Sequence, residues 1–168
     1  MMRVLLADDE KWKLKALVDS VREVLPQAEL DIFSDGSDAW KVAQNKEYDL
    51  AITDISMYEM NGPELATLIH KKYPKTGILF QTGEMEWSIR EMGIQPERCI
   101  FTPVTAEKVK KKLEIIDTFA PFEICPPEPE IEPEPDNEPG LEENITGKKK
   151  PGLFARMFFK GKGRNVDE

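Results

Sequence analysis

Three aspartates stand where two short apolar runs end, and carboxylates in such positions can hold a metal ion. Asp8 and Asp9 follow the run 4–7, and Asp54 follows the run 50–53. Both runs are continuous and too short for helices, so they are typical of buried parallel strands. The carboxyl ends of such strands meet at one edge of an open α/β sheet, where these sheets keep their sites. Clustered carboxylates repel each other, and a hard cation such as Mg²⁺ relieves the repulsion.

An aspartate at the end of a strand also has an ordinary structural role, because its side chain caps helices and stabilises turns. That role is the better explanation for any one of Asp8, Asp9 and Asp54 taken alone. Three carboxylates at matching strand ends favour a functional site instead.

The first 120 residues alternate between short apolar runs and amphipathic patterns, which predicts a parallel sheet covered by helices on both faces. Ser37 and Thr105 are candidate caps for two of the helices. The order of the strands in the sheet stays open, because periodicity does not determine it. Strands are predicted over 3–7, 29–33, 49–53, 77–81 and 98–101, and helices over about 10–25, 37–45, 63–73, 84–92 and 105–119.

The rest of the chain differs in composition and is predicted to be a disordered extension. Residues 121–146 contain nine acidic residues and no Lys or Arg, with alternating Pro and Glu, which predicts an extended linker. Residues 147–168 contain seven basic and two acidic residues. Within them, 151–160 has apolar residues at helical spacing, which predicts a basic amphipathic helix. Its target stays open between a groove on a partner protein, an anionic membrane surface and the chain's own domain.

Charge and cysteine content exclude several classes of protein. The first 120 residues carry 16 basic and 21 acidic residues, a balance that argues against direct binding to nucleic acid. The two cysteines, Cys99 and Cys125, are too few for a disulfide framework, and we interpret both as reduced. Neither a secretory signal nor an apolar stretch of about 20 residues is evident. We therefore expect a cytoplasmic protein, with peripheral membrane association through the tail as an open alternative.

Four segments together resemble the receiver domain of two-component response regulators, which has a flavodoxin-like (βα)5 fold. The acidic pair, the Thr-Asp-Ile core and the Asn-Gly turn are specific jointly, although each is weak alone. The resemblance covers about residues 2–118 and implies a doubly wound, five-stranded parallel sheet. The segments are Leu5-Leu6-Ala7-Asp8-Asp9-Glu10, Asp49-Leu50-Ala51-Ile52-Thr53-Asp54-Ile55-Ser56-Met57, Met60-Asn61-Gly62-Pro63-Glu64-Leu65 and Gln81-Thr82-Gly83.

The resemblance implies a role for each residue of the site. Asp54 would be the phosphoacceptor, which takes a phosphoryl group from a histidine kinase or phosphotransfer protein. Mg²⁺ would bind Asp9 and Asp54 directly, together with the backbone carbonyl of Ser56, while Asp8 would act mainly through bound water. Thr82 would be the switch hydroxyl that hydrogen-bonds the phosphoryl group.

The sequence departs from the family at three positions. Thr102, before Pro103, stands where the family has a Lys that pairs with the acceptor and its phosphate, and a hydroxyl carries no charge. Cys99 stands where the family has its switch aromatic, and strand alternation predicts Phe101 on the same face as Cys99. Tyr58 stands where a proline is usual.

Three hypotheses follow for the function. The first is a single-domain response regulator without a DNA-binding output domain, which signals to an unidentified downstream protein and catalyses at most its own phosphotransfer and dephosphorylation. The second is a degenerate receiver that acts as a phosphorylation-independent adaptor, and the third is a peripheral membrane protein. A haloacid-type phosphatase fits less well because it needs an Asp where Glu10 stands, and a dinucleotide-binding domain needs a glycine-rich turn. The one histidine, His70, is interpreted as lying on a solvated helix face.

Overall fold

A computed structural model of the protein describes residues 1–119 and 122–124. Within them the chain alternates strictly between strand and helix, as its patterning predicts. The strands are Arg3–Ala7 (β1), Glu29–Phe33 (β2), Leu50–Asp54 (β3), Gly77–Thr82 (β4) and Cys99–Phe101 (β5). The helices are Lys11–Val24 (α1), Gly36–Ala43 (α2), Gly62–Lys72 (α3), Glu86–Glu91 (α4) and Ala106–Ile115 (α5), with short 3₁₀ turns at Pro96–Arg98 and Ile116–Thr118.

The five strands form one parallel sheet in the order β2-β1-β3-β4-β5. This order, which the sequence pattern left open, makes β1 and β3 neighbours. In their register Ala7 is paired with Thr53, so Asp8 and Asp54 follow directly after paired residues. The acidic residues are therefore brought together by the strand order itself.

Alternate residues of each strand pack into different layers, one on each face of the sheet. Val4 and Leu6 lie in a layer with α1 and α5, whereas Leu5 and Ala7 lie in a layer with α2, α3 and α4. All five residues of β3 are buried, as expected for a central strand covered on both faces. The doubly wound, flavodoxin-like architecture predicted from the sequence is thus confirmed.

The helix caps agree with the sequence in part. Thr105 caps α5 as predicted, since its hydroxyl accepts from the backbone N–H of Lys108 at 3.3 Å. Ser37 was the wrong choice for α2, because the carboxylate of Asp35 accepts from the backbone N–H of Ser37 at 2.7 Å and the helix begins one residue earlier. The backbone position of the residue decides such a cap, and Asp35 and Ser37 both have side chains that can accept the bond.

Phe122 extends the folded core beyond the last helix. Its side chain is 8% exposed and lies against Phe80, with ring centroids 6.2 Å apart. The ring of His70 meets Phe122 edge-on at 5.3 Å, and its Nδ1 is buried without a hydrogen-bond partner among the described residues. The interpretation of His70 as solvated is therefore correct only in part, because the side chain is partly exposed while Phe122, which is distant in sequence, packs against its ring.

The predictions for the acidic linker and the basic tail concern residues that are mostly outside the described ones. The linker prediction spans 121–146 and the tail prediction spans 147–168, including the amphipathic segment 151–160 and its targets, and both stay predictions. Among residues 1–119 and 122–124, no helix has both the length and the apolar character that crossing a bilayer requires.

We expect Phe122→Ala to lower the free energy of unfolding by about 3 kcal/mol, because truncating a buried Phe leaves a cavity. Urea denaturation followed by circular dichroism measures the change. Tyr58→Ala is the matched control, since the Tyr58 side chain is 91% exposed, and it should change stability by no more than about 0.5 kcal/mol. Equal losses in both variants would contradict the packing of Phe122 in the core.

Candidate metal and phosphoacceptor site

Asp8, Asp9 and Asp54 converge at the carboxyl edge of the sheet. One carboxylate oxygen from each lies within 4.8 Å of the other two. Asp9 is exposed, whereas Asp8 is fully buried and Asp54 is only 4% exposed. The cluster therefore opens to solvent on one side and is closed by the fold on the other.

Asp8 is held by donors from two parts of the chain. Its Oδ1 accepts from the backbone N–H of Glu10 at 2.7 Å, and its Oδ2 accepts from the side-chain amide of Gln81. Burial raises the pKa of Asp8 above its usual value, although both hydrogen bonds act against the rise. The carbonyl oxygen of the buried Gln81 amide finds no hydrogen-bond partner among the described residues. Gln81 thus adds an unsatisfied oxygen next to the cluster.

Asp54 lies in the least favourable electrostatic position of the three. Burial and, to a smaller extent, the neighbouring charge of Asp8 together raise its pKa to about 7, and the charge of Lys13 opposes the rise. A carboxyl group with this pKa is partly protonated near neutral pH. The cluster offers only oxygen ligands and an excess of negative charge, and both properties fit a hard divalent cation such as Mg²⁺.

Lys13 is a cation that sequence reasoning missed. It lies in the first turn of α1, its side chain is 16% exposed, and it forms an ion pair with Glu10. Burial alone would lower the pKa of Lys13, but the hydrogen bond from Lys13 to Glu10 and the charges of Asp54 and Asp8 raise it. Its ammonium group is therefore part of the electrostatics of the site.

The loop after Asp54 is shaped by a close backbone approach. Gly62 donates its backbone N–H to the carbonyl of Ile55 at 3.0 Å, and a Cβ on Gly62 would overlap the carbonyl oxygen of Asp54. Asn61 and Glu64 form a capping box at the start of α3, with the Asn61 side chain accepting from the Glu64 N–H at 2.9 Å. The Asn-Gly pair therefore fixes where α3 begins relative to β3.

Ser56 and Tyr58 lie on the outer side of this loop. Ser56 is exposed two residues after Asp54, and Tyr58 projects almost fully into solvent. The predicted ligand at Ser56 is its backbone carbonyl, so an exposed side chain is compatible with that role. The aromatic ring of Tyr58 enlarges the surface beside the acidic cluster.

Thr82 and Thr102 lie next to each other at the ends of β4 and β5. The backbone N–H of Thr102 donates to the carbonyl of Thr82 at 2.8 Å, and the Thr82 hydroxyl accepts from the backbone N–H of Glu84 at 2.9 Å. The ammonium of Lys108 reaches this loop but is bound by the carbonyls of Phe101 and Pro103, each at 2.8 Å. Position 102 itself therefore supplies a hydroxyl and no charge.

Cys99 is fully buried in the same core layer that Phe101 packs against, as strand alternation predicts. Burial raises the pKa of the Cys99 thiol to about 12, so the group is neutral at physiological pH. Cys99 acts here as a small apolar core residue.

Residues 4–114 match the response regulator receiver domain family. The chain belongs to this family. Receiver domains are signalling domains, and the matched range spans both the acidic cluster and the Thr82–Thr102 pair. The resemblance inferred from the four motifs is thus confirmed.

Two relatives and one solved structure illustrate the similarity. The chain is 28% identical over 113 residues to the transcriptional regulatory protein NatR of Bacillus subtilis, covering 65% of this chain and 47% of NatR. It is 34% identical over 83 residues to the response regulator receiver protein CpdR of Brucella abortus, covering 49% of this chain and 68% of CpdR. It thus spans about half of NatR and two thirds of CpdR. The response regulator TrrA of Thermotoga maritima, solved in complex with Mg(2+)-BeF, has a TM-score of 0.58 and 25% identity, covering 69% of this chain and 99% of TrrA.

Sequence reasoning missed two residues near the cluster, Gln81 on β4 and Lys13 on α1. Gln81 precedes Thr82 on β4, and its signal was a polar residue directly after an apolar run. Lys13 precedes Leu17 by one helical turn, and its signal was a charge at the start of the buried stripe of α1. Neither signal says which group the side chain meets.

In metal-free protein we expect Asp54→Asn to raise the free energy of unfolding near neutral pH. The pKa of Asp54 rises from 3.8 to about 7 on folding, so the folded state binds this proton more tightly than the unfolded chain. As pH rises from about 4 to about 7, ionisation of Asp54 therefore lowers the free energy of unfolding. The loss is at most about 1.4 kcal/mol for each unit by which the folded pKa exceeds the unfolded one. The gain in Asp54→Asn should amount to a few kcal/mol at about pH 8 and vanish near pH 4.

Urea denaturation in EDTA at both pH values measures this gain. Asp19→Asn is the control, because Asp19 is 61% exposed and forms an ion pair with Lys15 on α1. A gain of the same size at both pH values would contradict the raised pKa of Asp54.

Proposed function

We propose that this protein is a response regulator that accepts a phosphoryl group on Asp54 from a histidine kinase or phosphotransfer protein. It then passes the signal on by protein contact rather than by binding DNA. The observation that carries the proposal is the convergence of the Asp8, Asp9 and Asp54 carboxylates within 4.8 Å in a receiver domain. The net charge of −9 agrees with a protein partner rather than a nucleic acid.

Asp54 acts as the nucleophile in this reaction. In its ionised form, one carboxylate oxygen forms a bond to phosphorus while the P–N bond of the phosphohistidine breaks. The imidazole leaves with the electron pair of that bond and takes up a proton, and Asp54 becomes an acyl phosphate. Burial of Asp54 favours the reaction, because a poorly solvated carboxylate has less hydration to lose.

Asp9, Asp54 and the backbone carbonyl of Ser56 are the proposed direct ligands of Mg²⁺, with Asp8 acting through bound water. When bound, the ion neutralises charge that builds on the phosphoryl oxygens. Asp8 is suited to an indirect role because the N–H of Glu10 and the amide of Gln81 already occupy its oxygens. The response regulator TrrA, which is similar to this chain, was solved in complex with Mg(2+)-BeF, and this supports Mg²⁺ as the proposed ion.

Thr82 is the proposed switch, and Thr102 is the proposed link to the output surface. The Thr82 hydroxyl would exchange its bond with the N–H of Glu84 for a phosphoryl oxygen and draw its loop towards Asp54. Because the N–H of Thr102 donates to the carbonyl of Thr82, such a movement reaches the loop before α5 through the backbone. A downstream protein would then bind the surface formed by that loop and α5.

We expect incubation with Mg²⁺ and a small phosphodonor to add one phosphoryl group to the protein, because Asp54 is the buried nucleophile of the cluster. Mass spectrometry of the intact chain measures the addition. Asp54→Asn should abolish it, whereas Asp19→Asn, which removes the charge of a side chain that is 61% exposed and forms an ion pair with Lys15 on α1, should leave it intact. No adduct on the wild-type chain would refute the proposal.

A second candidate function is that of a phosphorylation-independent adaptor. It is favoured by the uncharged Thr102 at the family's Lys position and by the buried Cys99 at the position of the switch aromatic. Both replacements remove parts of the usual switch while leaving the fold intact.

The adaptor hypothesis predicts that Asp54→Ala retains biological function. Complementation of a deletion strain measures this, with a buried-core variant such as Leu17→Asp as the loss-of-function control. Complete loss of function in Asp54→Ala would argue against the adaptor and favour the phosphoacceptor.

A further inference from the structure

The acidic cluster needs a positive side chain that position 102 does not supply. We propose that Lys13 serves as the phosphoryl-binding cation of this receiver and replaces the lysine that the family carries where Thr102 stands. The inference rests on the proposed phosphoacceptor role of Asp54 and adds to it a residue on a different element, the first turn of α1.

Lys13 lies on the buried side of its helix. Lys13, Leu17 and Val21 are spaced by four residues, and the last two are fully buried in the layer that contains Ile100 of β5 and Val109 of α5. Side chains on a helix lean towards its N-terminus, which for α1 is the edge of the sheet that bears Asp54. The Lys13 side chain is accordingly 16% exposed, although a lysine is usually solvated.

The position of Lys13 is unfavourable for a cation unless acids compensate it. The N-terminal turn of a helix carries a partial positive charge that disfavours lysine, and the first turn of α1 contains no acidic residue. The compensating acids are Glu10, which pairs with Lys13, and Asp54 and Asp8, whose charges also act on it. The charge of Lys13 in turn opposes the rise in the pKa of Asp54.

The ion pair between Glu10 and Lys13 is partly open to solvent, and Glu10 also has a second partner. The Glu10 carboxylate is 46% exposed and also accepts from the indole N–H of Trp12 at 2.8 Å. Because the exposed Glu10 carboxylate can be solvated when the pair opens, Lys13 can exchange Glu10 for a phosphoryl oxygen. The ammonium of Lys108 is bound by two backbone carbonyls, those of Phe101 and Pro103.

Four variants test the proposal: Lys13→Gln, Lys13→Arg, Glu10→Gln and the double variant Lys13→Gln/Thr102→Lys. The measurement is the initial rate of phosphorylation by phosphoramidate at saturating Mg²⁺, with urea denaturation to check that each variant folds. In this reaction an Asp54 oxygen bonds to phosphorus, the P–N bond breaks, and the nitrogen leaves as ammonia with its electron pair.

We expect Lys13→Gln to lower the rate on the order of 100-fold, as for the loss of one group that stabilises developing negative charge. Lys13→Arg should keep most of the rate, and Glu10→Gln should keep or raise it, because it frees the ammonium. The double variant should be phosphorylated at least about tenfold faster than Lys13→Gln, because Thr102→Lys supplies a cation from the opposite side without restoring the ion pair with Glu10.

The alternative is that Lys13 only stabilises the start of α1 through Glu10. A wild-type rate in folded Lys13→Gln would overturn the proposal, and so would an equal loss in Glu10→Gln and Lys13→Gln. If the wild-type chain is phosphorylated while these results are found, the phosphoacceptor function stands and only the role of Lys13 falls. If the wild-type chain takes up no phosphoryl group, both fall together.

Discussion

Repulsion among three carboxylates at one edge of the sheet is the constraint to which the surrounding structure responds. The strand order sets β1 beside β3, so Asp8 and Asp54 meet whether or not their charges are balanced. Burial of both side chains then removes the water that would screen them. The unfavourable free energy is stored in the folded protein and becomes available to any ligand that supplies positive charge.

The elements around the cluster hold it open to such a ligand. Gly62 lets α3 approach the backbone of Asp54 without a side chain in between, and the Asn61–Glu64 capping box fixes the start of that helix. On the other side, Gln81 and the N–H of Glu10 orient Asp8. None of these groups contributes a positive charge, so the scaffold fixes geometry and leaves neutralisation to a cation.

Much of this arrangement could be predicted from the sequence, because strand ends carry their own signal. Asp8, Asp9 and Asp54 follow buried runs, and the carboxyl ends of parallel strands share one edge of the sheet whatever their order. Contacts that depend on side-chain direction between distant elements carry no such signal. The hydrogen bond from Gln81 to Asp8, the effect of the Lys13 charge on Asp54 and the packing of Phe122 against His70 each depend on the full fold. The prediction of the α2 cap was wrong because Asp35 and Ser37, two residues apart, are both good capping residues.

This chain departs from the family at Thr102 and Cys99. The departure at position 102 separates two roles that a single lysine has in the family. A lysine before Pro103 would supply charge to the phosphoryl group and also lie on the loop that leads to α5. In this protein the charge comes from α1, and the loop is joined to β4 by the bond between the Thr102 N–H and the Thr82 carbonyl. A backbone bond of this kind does not depend on the side chain at position 102, so it survives the substitution. Cys99 is small and neutral, so Phe101 is the aromatic residue of β5 that packs against this core layer. In the proposed switch, the loop before α5 would therefore follow Thr82 even though the usual lysine and aromatic are absent.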